Sequence, residues 1–436
     1  MKFFYPYISE QVRPADFRQI LIFVFFAFIL QQNLTVAADP IEFNGDQKEL
    51  IIEINKFTYT IANQHDQFYS FIGVRALAMV HLAIHDIYNA NEAQYQPYLL
   101  KTKINAQFNP GIAAISATRT ILKKAYPERK DTIDQTCDQW LASLADTSFN
   151  AASVDLGNTV AQLYILHRAN DGHQKNGDYT PMTKPGDYQY TPGFDYVWKP
   201  DFSVARPFTL DSVSQLRCPP PPALTSETYA ESYNEVKAYG VKNSTSRSED
   251  QTSFGHWWAE FGEHGWNRIG RIVAQSHDLS AIEANRMFAL LNMNLYDLYL
   301  VSFDSKYTYD TWRPYTAIHN GENDNNPATQ GQADWEPEMV TPPWPEYPSA
   351  HASVGAAGAE IVSQVLGTPK VTFTMQSTTA LPSQPERTYH NLDDAANDCA
   401  DSRIMNGYHF RFATEEGKRQ GRALAKHTMS GFLGKR

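Results

Sequence analysis

Apolar residues return every three to four positions along most of this chain, and that period constrains its fold more than any other feature. The pattern runs over 47–64, 71–92, 111–125, 131–145 and 151–170, then again over 225–238, 255–277 and 280–304. Such spacing lines apolar side chains along one face of an α-helix, whereas a half-buried strand needs strict alternation. Only 369–375 (PKVTFTM) alternates, weakly, and is expected to be a short strand. A further helix is expected to start near Ser349, where HASVGAAGAEIVSQVL is rich in small residues that suit close packing, and a final one spans about 412–432. The expected class is all-α: a large helical bundle protein with long ordered loops. The longest loop, about 172–222, is rich in Gly, Pro, Tyr and Asp, and its aromatics predict packing over the core. Residues 321–346, rich in Pro, Asn and Trp, also read as loop, and the prolines at 219–222 as a rigid connector. No internal repeat is evident.

The last third of the chain carries the chemistry. Lys306 and Arg313-Pro314 lie in KYTYDTWRP, Ser349-Ala350-His351 in EYPSAHAS, and Ser402-Arg403 with His409 in SRIMNGYHF. Arg holds a tetrahedral oxyanion through its planar fork, Lys adds a point charge, and Ser with backbone N–H groups completes a donor shell. One imidazole can attack or coordinate the central atom while the other moves protons near neutrality. Each piece alone is weak, because an isolated Arg-Pro or a lone His is usually a surface or packing feature.

In this order the residues resemble the pattern shared by vanadium-dependent haloperoxidases and the type-2 phosphatidic acid phosphatase superfamily. That pattern is Lys, six residues, Arg-Pro; then Pro-Ser-Gly-His; then Ser-Arg, five residues, His. Six residues (307–312) separate Lys306 from Arg313, and five (404–408) separate Arg403 from His409. CPPPPALTSETYAESYNEVKAYG (218–240), SEDQTSFGHWW, VRALAMVHLAIHDIYNAN and ANRMFALLNMNLYDLYLVSFDSKYTYDTWRPYTAI are similar to the bacterial haloperoxidase-like branch. The resemblance covers roughly residue 45 to the end. It implies one helical catalytic domain over 39–436, built around two four-helix-bundle cores.

The resemblance implies two enzymatic readings. As a haloperoxidase, the protein would use vanadate as cofactor, with His409 as the axial ligand to vanadium. Lys306, Arg313, Ser349, the Ala350 N–H and Arg403 would hold its oxygens, and His351 would move protons. Hydrogen peroxide, a halide and a small organic substrate would be its reactants. As a secreted acid phosphatase, it would take a phosphate ester into the same pocket without vanadate, with His409 as nucleophile through a phosphohistidine and His351 as acid. A third reading, an inactive anion-binding pocket, is opposed by retention of all three cations and both histidines.

Several positions depart from the family pattern or tune it. Ala350 replaces the Gly before the first His; it keeps the N–H, but its methyl narrows the approach. Many relatives carry an orienting Asp four residues after the second His, where this chain has Ala413. Glu416, about two helical turns beyond His409, would substitute if a helix began near His409. The position seven before the first His, Phe in fungal chloroperoxidases and His in algal bromoperoxidases, is Trp344, and Phe303 stands where fungal enzymes place Trp. Both are halide-pocket candidates.

The net charge of −11 makes nucleic acid an unsuitable partner. ILIFVFFAFIL (20–30), with Lys2, Arg13 and Arg18 before it and Val36-Ala37-Ala38 after, reads as a secretory signal cleaved after Ala38. The expected location is therefore secreted or periplasmic, with an uncleaved membrane anchor as the second reading; no later run is long enough to span. Asn33 and Asn243 lie in glycosylation sequons, and Cys137, Cys218 and Cys399 allow at most one disulfide. His81, His85 and Asp86 have a spacing that zinc could use but lack HExxH, so a structural role is expected. His256 and His264, flanked by aromatics, are expected to pack. The halide, the organic substrate and the oligomeric state are left open by the sequence.

Overall fold

Why the 280–304 segment must be a helix is clearest at its ends. Ser280 and Glu283 cap each other's backbone in a reciprocal box, and the helix runs as Ala281–Tyr309 until Asp310 turns left-handed at φ 48°. It is buried along almost its whole circumference, which makes it a core helix rather than a surface one. The computed structural model describes residues 45–144 and 149–436. The signal read over 1–38 therefore lies outside the described residues.

The helices in chain order are α1 (Gln47–Asp66), α2 (Ile72–Glu92), α3 (Pro110–Ala125), α4 (Lys130–Ser143), α5 (Asn150–His167), α6 (Glu227–Tyr239), α7 (Glu249–Trp257), α8 (Gly262–Ser276), α9 (Ala281–Tyr309), α10 (Pro314–His319), α11 (Ala350–Leu366), α12 (Leu392–Met405) and α13 (Arg411–Gly431). Strand β1 (Phe373–Gln376) pairs antiparallel with β2 (Glu386–Tyr389), with Phe373 opposite Tyr389. Among the described residues the fold is all-α apart from this hairpin. Helices α1, α2, α3 and α5 pack as one group, and α9, α11, α12 and α13 as a second; α9 joins them by lying along both α2 and α11.

The expected helices appear with shifted ends and some changes. The 255–277 segment is two helices, α7 and α8, broken at 258–261. The 280–304 helix extends to Tyr309 and so carries Lys306 inside its last turn. Helices α10 and α12 and strand β2 carry too little apolar period to be read beforehand. In the segment between α5 and α6 the only helical pieces are two short 3-10 turns, and Tyr188 and Phe202 from it are fully buried.

Buried polar side chains fix the register of α9. Asn285 pairs with His81 Nδ1 (2.8 Å), Asn292 with Asn267 (2.9 Å) and Asn294 with Thr428 (2.8 Å). Asp297 accepts from the backbone of Phe208 (2.6 Å) and Thr209 (2.7 Å), tying the long loop down. Any slip of α9 would orphan these groups at a cost of about 1–3 kcal/mol each. His81 is thus part of the core network. His85 Nε2 meets the Gln96 carbonyl at 3.1 Å, and Asp86 accepts from the N–H groups of Tyr98, Leu99 and Leu100. These contacts give all three residues structural work. Cys137, Cys218 and Cys399 are buried free thiols.

The start of the long loop is pinned by Asp171, which meets Arg75 Nε, Arg168 Nε and His173 Nδ1 at 2.7 Å each. Burial alone would raise the Asp171 pKa; His173, Arg75 and Arg168 together outweigh it and hold the carboxyl well below its usual range. A depressed folded-state pKa adds stability above the unfolded pKa, lost as pH falls through the folded value. Asp171→Asn is therefore expected to cost about 3–5 kcal/mol at pH 7, as for a broken buried ion pair. In denaturant titrations the gap to wild type should narrow as pH drops below about 4.

Two glycines let α13 press against α11. A Cβ on Gly421 would sit 2.1 Å from the Ser353 carbonyl oxygen, and one on Gly417 would sit 2.5 Å from that of Ser349. The obstacle in each case is backbone, which cannot swing aside. Gly421→Ala is expected to lose about 2–3 kcal/mol, visible as a lowered melting temperature. This approach brings the start of α13, just after His409, against the Ser349 end of α11.

Candidate active site

Three chain segments converge where the last turn of α9, the start of α11 and the α12–α13 turn meet. Lys306 comes from α9, and Arg313 caps α10 just beyond it. Ser349, Ala350 and His351 open α11. Arg403 ends α12, and His409 precedes α13. Lys306 and Arg313 are fully buried, and Arg403 is 2% exposed.

The cations are held by carbonyl oxygens. Lys306 Nζ donates to the carbonyls of Pro345 (2.9 Å), Glu346 (2.8 Å) and Pro348 (2.6 Å). These contacts use all three ammonium protons, so Lys306 offers the site charge rather than a free donor. Burial and then Arg313 push its pKa well below 10.5, yet three facing acceptors require the protonated form. Arg313 donates Nε to the Trp344 carbonyl (2.7 Å) and Nη1 to the Tyr408 carbonyl (3.0 Å), and burial lowers its pKa to about 10. Its Nη2 is buried without a partner. Arg403 donates Nη2 to the Trp258 carbonyl (2.6 Å) and stacks 5.3 Å from the Tyr408 ring centre.

The two imidazoles have defined tautomers. Arg313 Nη1, which can only donate, lies 3.1 Å from His409 Nε2, so that nitrogen carries the lone pair. Nδ1 then holds the proton and donates to Glu346 Oε1 at 2.9 Å. Burial, then Arg313, Lys306 and Arg403, drive the His409 pKa well below 6.5, which keeps the ring neutral. His351 Nε2 lies 2.8 Å from the Glu260 carbonyl, which can only accept, so Nδ1 is the free base. Burial and Arg403 lower its pKa as well.

The break between α7 and α8 supplies both carbonyls that aim Arg403 and His351, those of Trp258 and Glu260. That break is held from outside by Thr379, whose Oγ1 accepts the Glu260 N–H (3.0 Å), and by Arg268 and Thr378 on the Glu260 carboxylate. Sequence reasoning missed this support, because the apolar pattern runs through the break without interruption.

Ser349 is the N-cap of α11, and its Oγ lies 3.4 Å from Ala352 N. The first-turn N–H groups, Ala350 among them, have no intrahelical partner and present the positive end of the helix. Ala350 is an ordinary helical residue, so no glycine is required by the backbone. Phe303 is buried against Phe71, Phe202 and Tyr307, with Trp344 at 6.1 Å. Trp344 lies beside Arg313, 5.8 Å from its guanidinium carbon.

A helix does begin near His409, at Arg411, but Glu416 does not take the orienting role: it pairs with Arg419 at 2.8 Å. The carboxylate that meets His409 is Glu346, which sequence reasoning passed over. His256 pairs with Glu338 at 3.1 Å. His264 packs against Tyr59, Phe68 and Phe261, as expected of a packing residue, and neither ring nitrogen has a protein partner.

An oxyanion fits this donor set. Lys306, Arg313 and Arg403 are buried, and among the described residues Glu346 is the carboxylate facing the first two, so positive charge is left over, and unpaired buried charge is costly. Vanadate or phosphate would use the Arg313 Nη2 left without a partner, the Ser349 hydroxyl and the α11 N–H groups. Among the described residues, no cluster of His, Cys, Asp and Glu is suited to an ordinary metal cation.

Residues 286–433 match the family model of the VCPO second helical-bundle domain. The vanadium chloroperoxidase of Curvularia inaequalis is 31% identical over 146 residues, covering 28% of this chain and 23% of that protein. The chain thus spans under a quarter of this curated relative's length. Among solved structures, a bacterial vanadium-dependent iodoperoxidase superposes with TM-score 0.75 at 23% identity, covering 89% of this chain and 97% of that one. A holo-type bacterial vanadium-dependent chloroperoxidase gives TM-score 0.65 at 15% identity, covering 92% and 96%.

Proposed function

We propose that this chain, a member of the superfamily of vanadium-dependent haloperoxidases and type-2 phosphatidic acid phosphatases, oxidises halide with hydrogen peroxide in the cationic pocket. The observation that carries this reading is charge: Lys306, Arg313 and Arg403 are all buried around His409, and among the described residues Glu346 is the carboxylate that faces Lys306 and Arg313. Vanadate, when bound, supplies a Lewis-acidic centre that activates peroxide toward halide without changing its own oxidation state. The rest is the work of the chain. Nε2 of His409, whose lone pair faces Arg313 Nη1 at 3.1 Å, would be the nitrogen that holds the vanadate. Arg313, Arg403, the Ser349 hydroxyl and the Ala350 N–H hold the oxyanion, and Lys306 adds charge while fixing the 345–348 loop. His351 accepts and returns protons at Nδ1. Trp344 and Phe303 form the aromatic wall beside Arg313 and shape access for halide and a small organic acceptor.

A second reading gains from one observation. A phosphohistidine mechanism needs an oriented, neutral imidazole, and the Glu346 contact supplies the carboxylate that Ala413 cannot. As an acid phosphatase, His409 would attack a phosphate ester and His351 would protonate the leaving group. Export, read from residues 1–38, belongs to the proposal for either activity. Among the described residues no helix is long and apolar enough to cross a membrane.

One paired assay separates the readings. The purified chain is given orthovanadate, hydrogen peroxide, a phenol dye and each halide in turn, and separately an aryl phosphate. Halogenation that needs vanadate and disappears in His409→Ala is expected. Aryl phosphate hydrolysis inhibited by vanadate, with no halogenation, would replace the first reading with the second.

A further inference from the structure

We infer that Glu346 is the positioning residue for His409, a role moved here from the position after His409 to the loop before α11; this rests on the oxyanion-site reading above. Four observations converge on it. His409 Nδ1 lies 2.9 Å from Glu346 Oε1, and the same oxygen accepts the Phe410 N–H at 3.0 Å, so one carboxylate holds both the ring and its backbone. Arg313 on the opposite ring nitrogen independently demands that Nδ1 be the protonated one. The Glu346 backbone is fixed on both sides: its N–H donates to the Thr311 carbonyl at 3.0 Å, and its carbonyl accepts from Lys306 at 2.8 Å. Glu346 is fully buried; both partners of its Oε1 donate to it, its Oε2 has none, and burial raises its pKa to about 7 against the opposing pull of Lys306 and Arg313.

The fourth observation is what occupies position 413. Ala413 is fully buried and packs with Tyr347 and Cys218, and its carbonyl accepts the Ser349 N–H at 3.0 Å. The first turn of α13 is therefore pressed against the 346–349 segment. A carboxylate on each side of that contact would bury two like charges close together, which is unfavourable. Glutamate at 346 with alanine at 413 leaves a single carboxylate at this contact.

The exchange can be made and reversed. Glu346→Ala is expected to raise the vanadate Kd about 10–100-fold, as loss of a ligand-orienting partner typically does. Adding Ala413→Asp to that variant should recover about tenfold. The direct readout needs neither vanadate nor turnover: in the 15N-histidine-labelled chain, His409 should show a protonated Nδ1 and an unprotonated Nε2, and Glu346→Ala should blur that signature into a tautomer mixture. A wild-type His409 protonated at Nε2 would overturn the inference without any variant. So would a folded Glu346→Ala chain that keeps both the tautomer and the affinity within twofold, or a folded double variant that recovers nothing. If the wild-type chain binds no vanadate, the haloperoxidase reading fails, while the tautomer measurement still decides the role of Glu346.

Discussion

Replacing His351 with alanine is expected to lower peroxidase turnover by about 10²–10⁴-fold while vanadate stays bound. That range is what a positioned general acid–base contributes, about 2.7–5.4 kcal/mol of barrier. The separation of the two effects follows from geometry. The His351 ring is anchored by Nε2 on the Glu260 carbonyl, and none of the oxyanion cations donates to it. Its Nδ1 is the basic nitrogen, and burial with Arg403 nearby keeps the ring neutral at rest. Vanadate titrated into the variant should therefore bind within a few-fold of wild type, while halogenation by the bound form collapses. If affinity fell in step with rate, His351 would be holding the anion rather than moving protons.

Arg313→Met is expected to act on the other quantity. The guanidinium is one of three buried cations, and its Nη2 is the donor without a partner. Losing one or two charge-assisted hydrogen bonds to the anion costs about 3 kcal/mol, which is roughly a 100-fold rise in the vanadate or phosphate Kd. The substitution also orphans the Trp344 and Tyr408 carbonyls that Arg313 serves at 2.7 and 3.0 Å. The melting temperature should drop as well, and comparing affinity in the folded range keeps the two effects apart. An unchanged Kd in a folded Arg313→Met chain would remove Arg313 from the site.

The helices were legible in the sequence because they depend on local spacing, and the cationic residues because their order and spacing resemble a family pattern. A 3.6-residue period survives in α1 to α3 and α9 because each presents a broad apolar surface to a neighbour. Helix α12 escaped because LDDAANDCADSRIM is mostly small and acidic, and its helix is specified by the Asn391 cap and by packing against α11 rather than by a stripe. The break at 258–261 escaped because Trp257, Trp258 and Phe261 continue the apolar run straight through it. Glu346 escaped for a different reason. A single Glu in a Pro-rich loop has the look of a solvated turn residue, and only the fold brings it to a histidine 63 positions away. Lys306 reads from the sequence as a point charge beside the anion; that its three protons go to the loop carbonyls depends on where residues 345–348 run.

The central claim is that His409 and the three cations form one oxyanion-binding site in which the imidazole would hold the vanadate. The most direct test is orthovanadate binding to the purified chain, followed by calorimetry and by 51V NMR, for wild type and a folded His409→Ala variant. The account predicts saturable one-to-one binding that weakens at least about 100-fold, some 2.7 kcal/mol, in the variant. Equal binding by both chains, or no saturable binding by wild type, would contradict it.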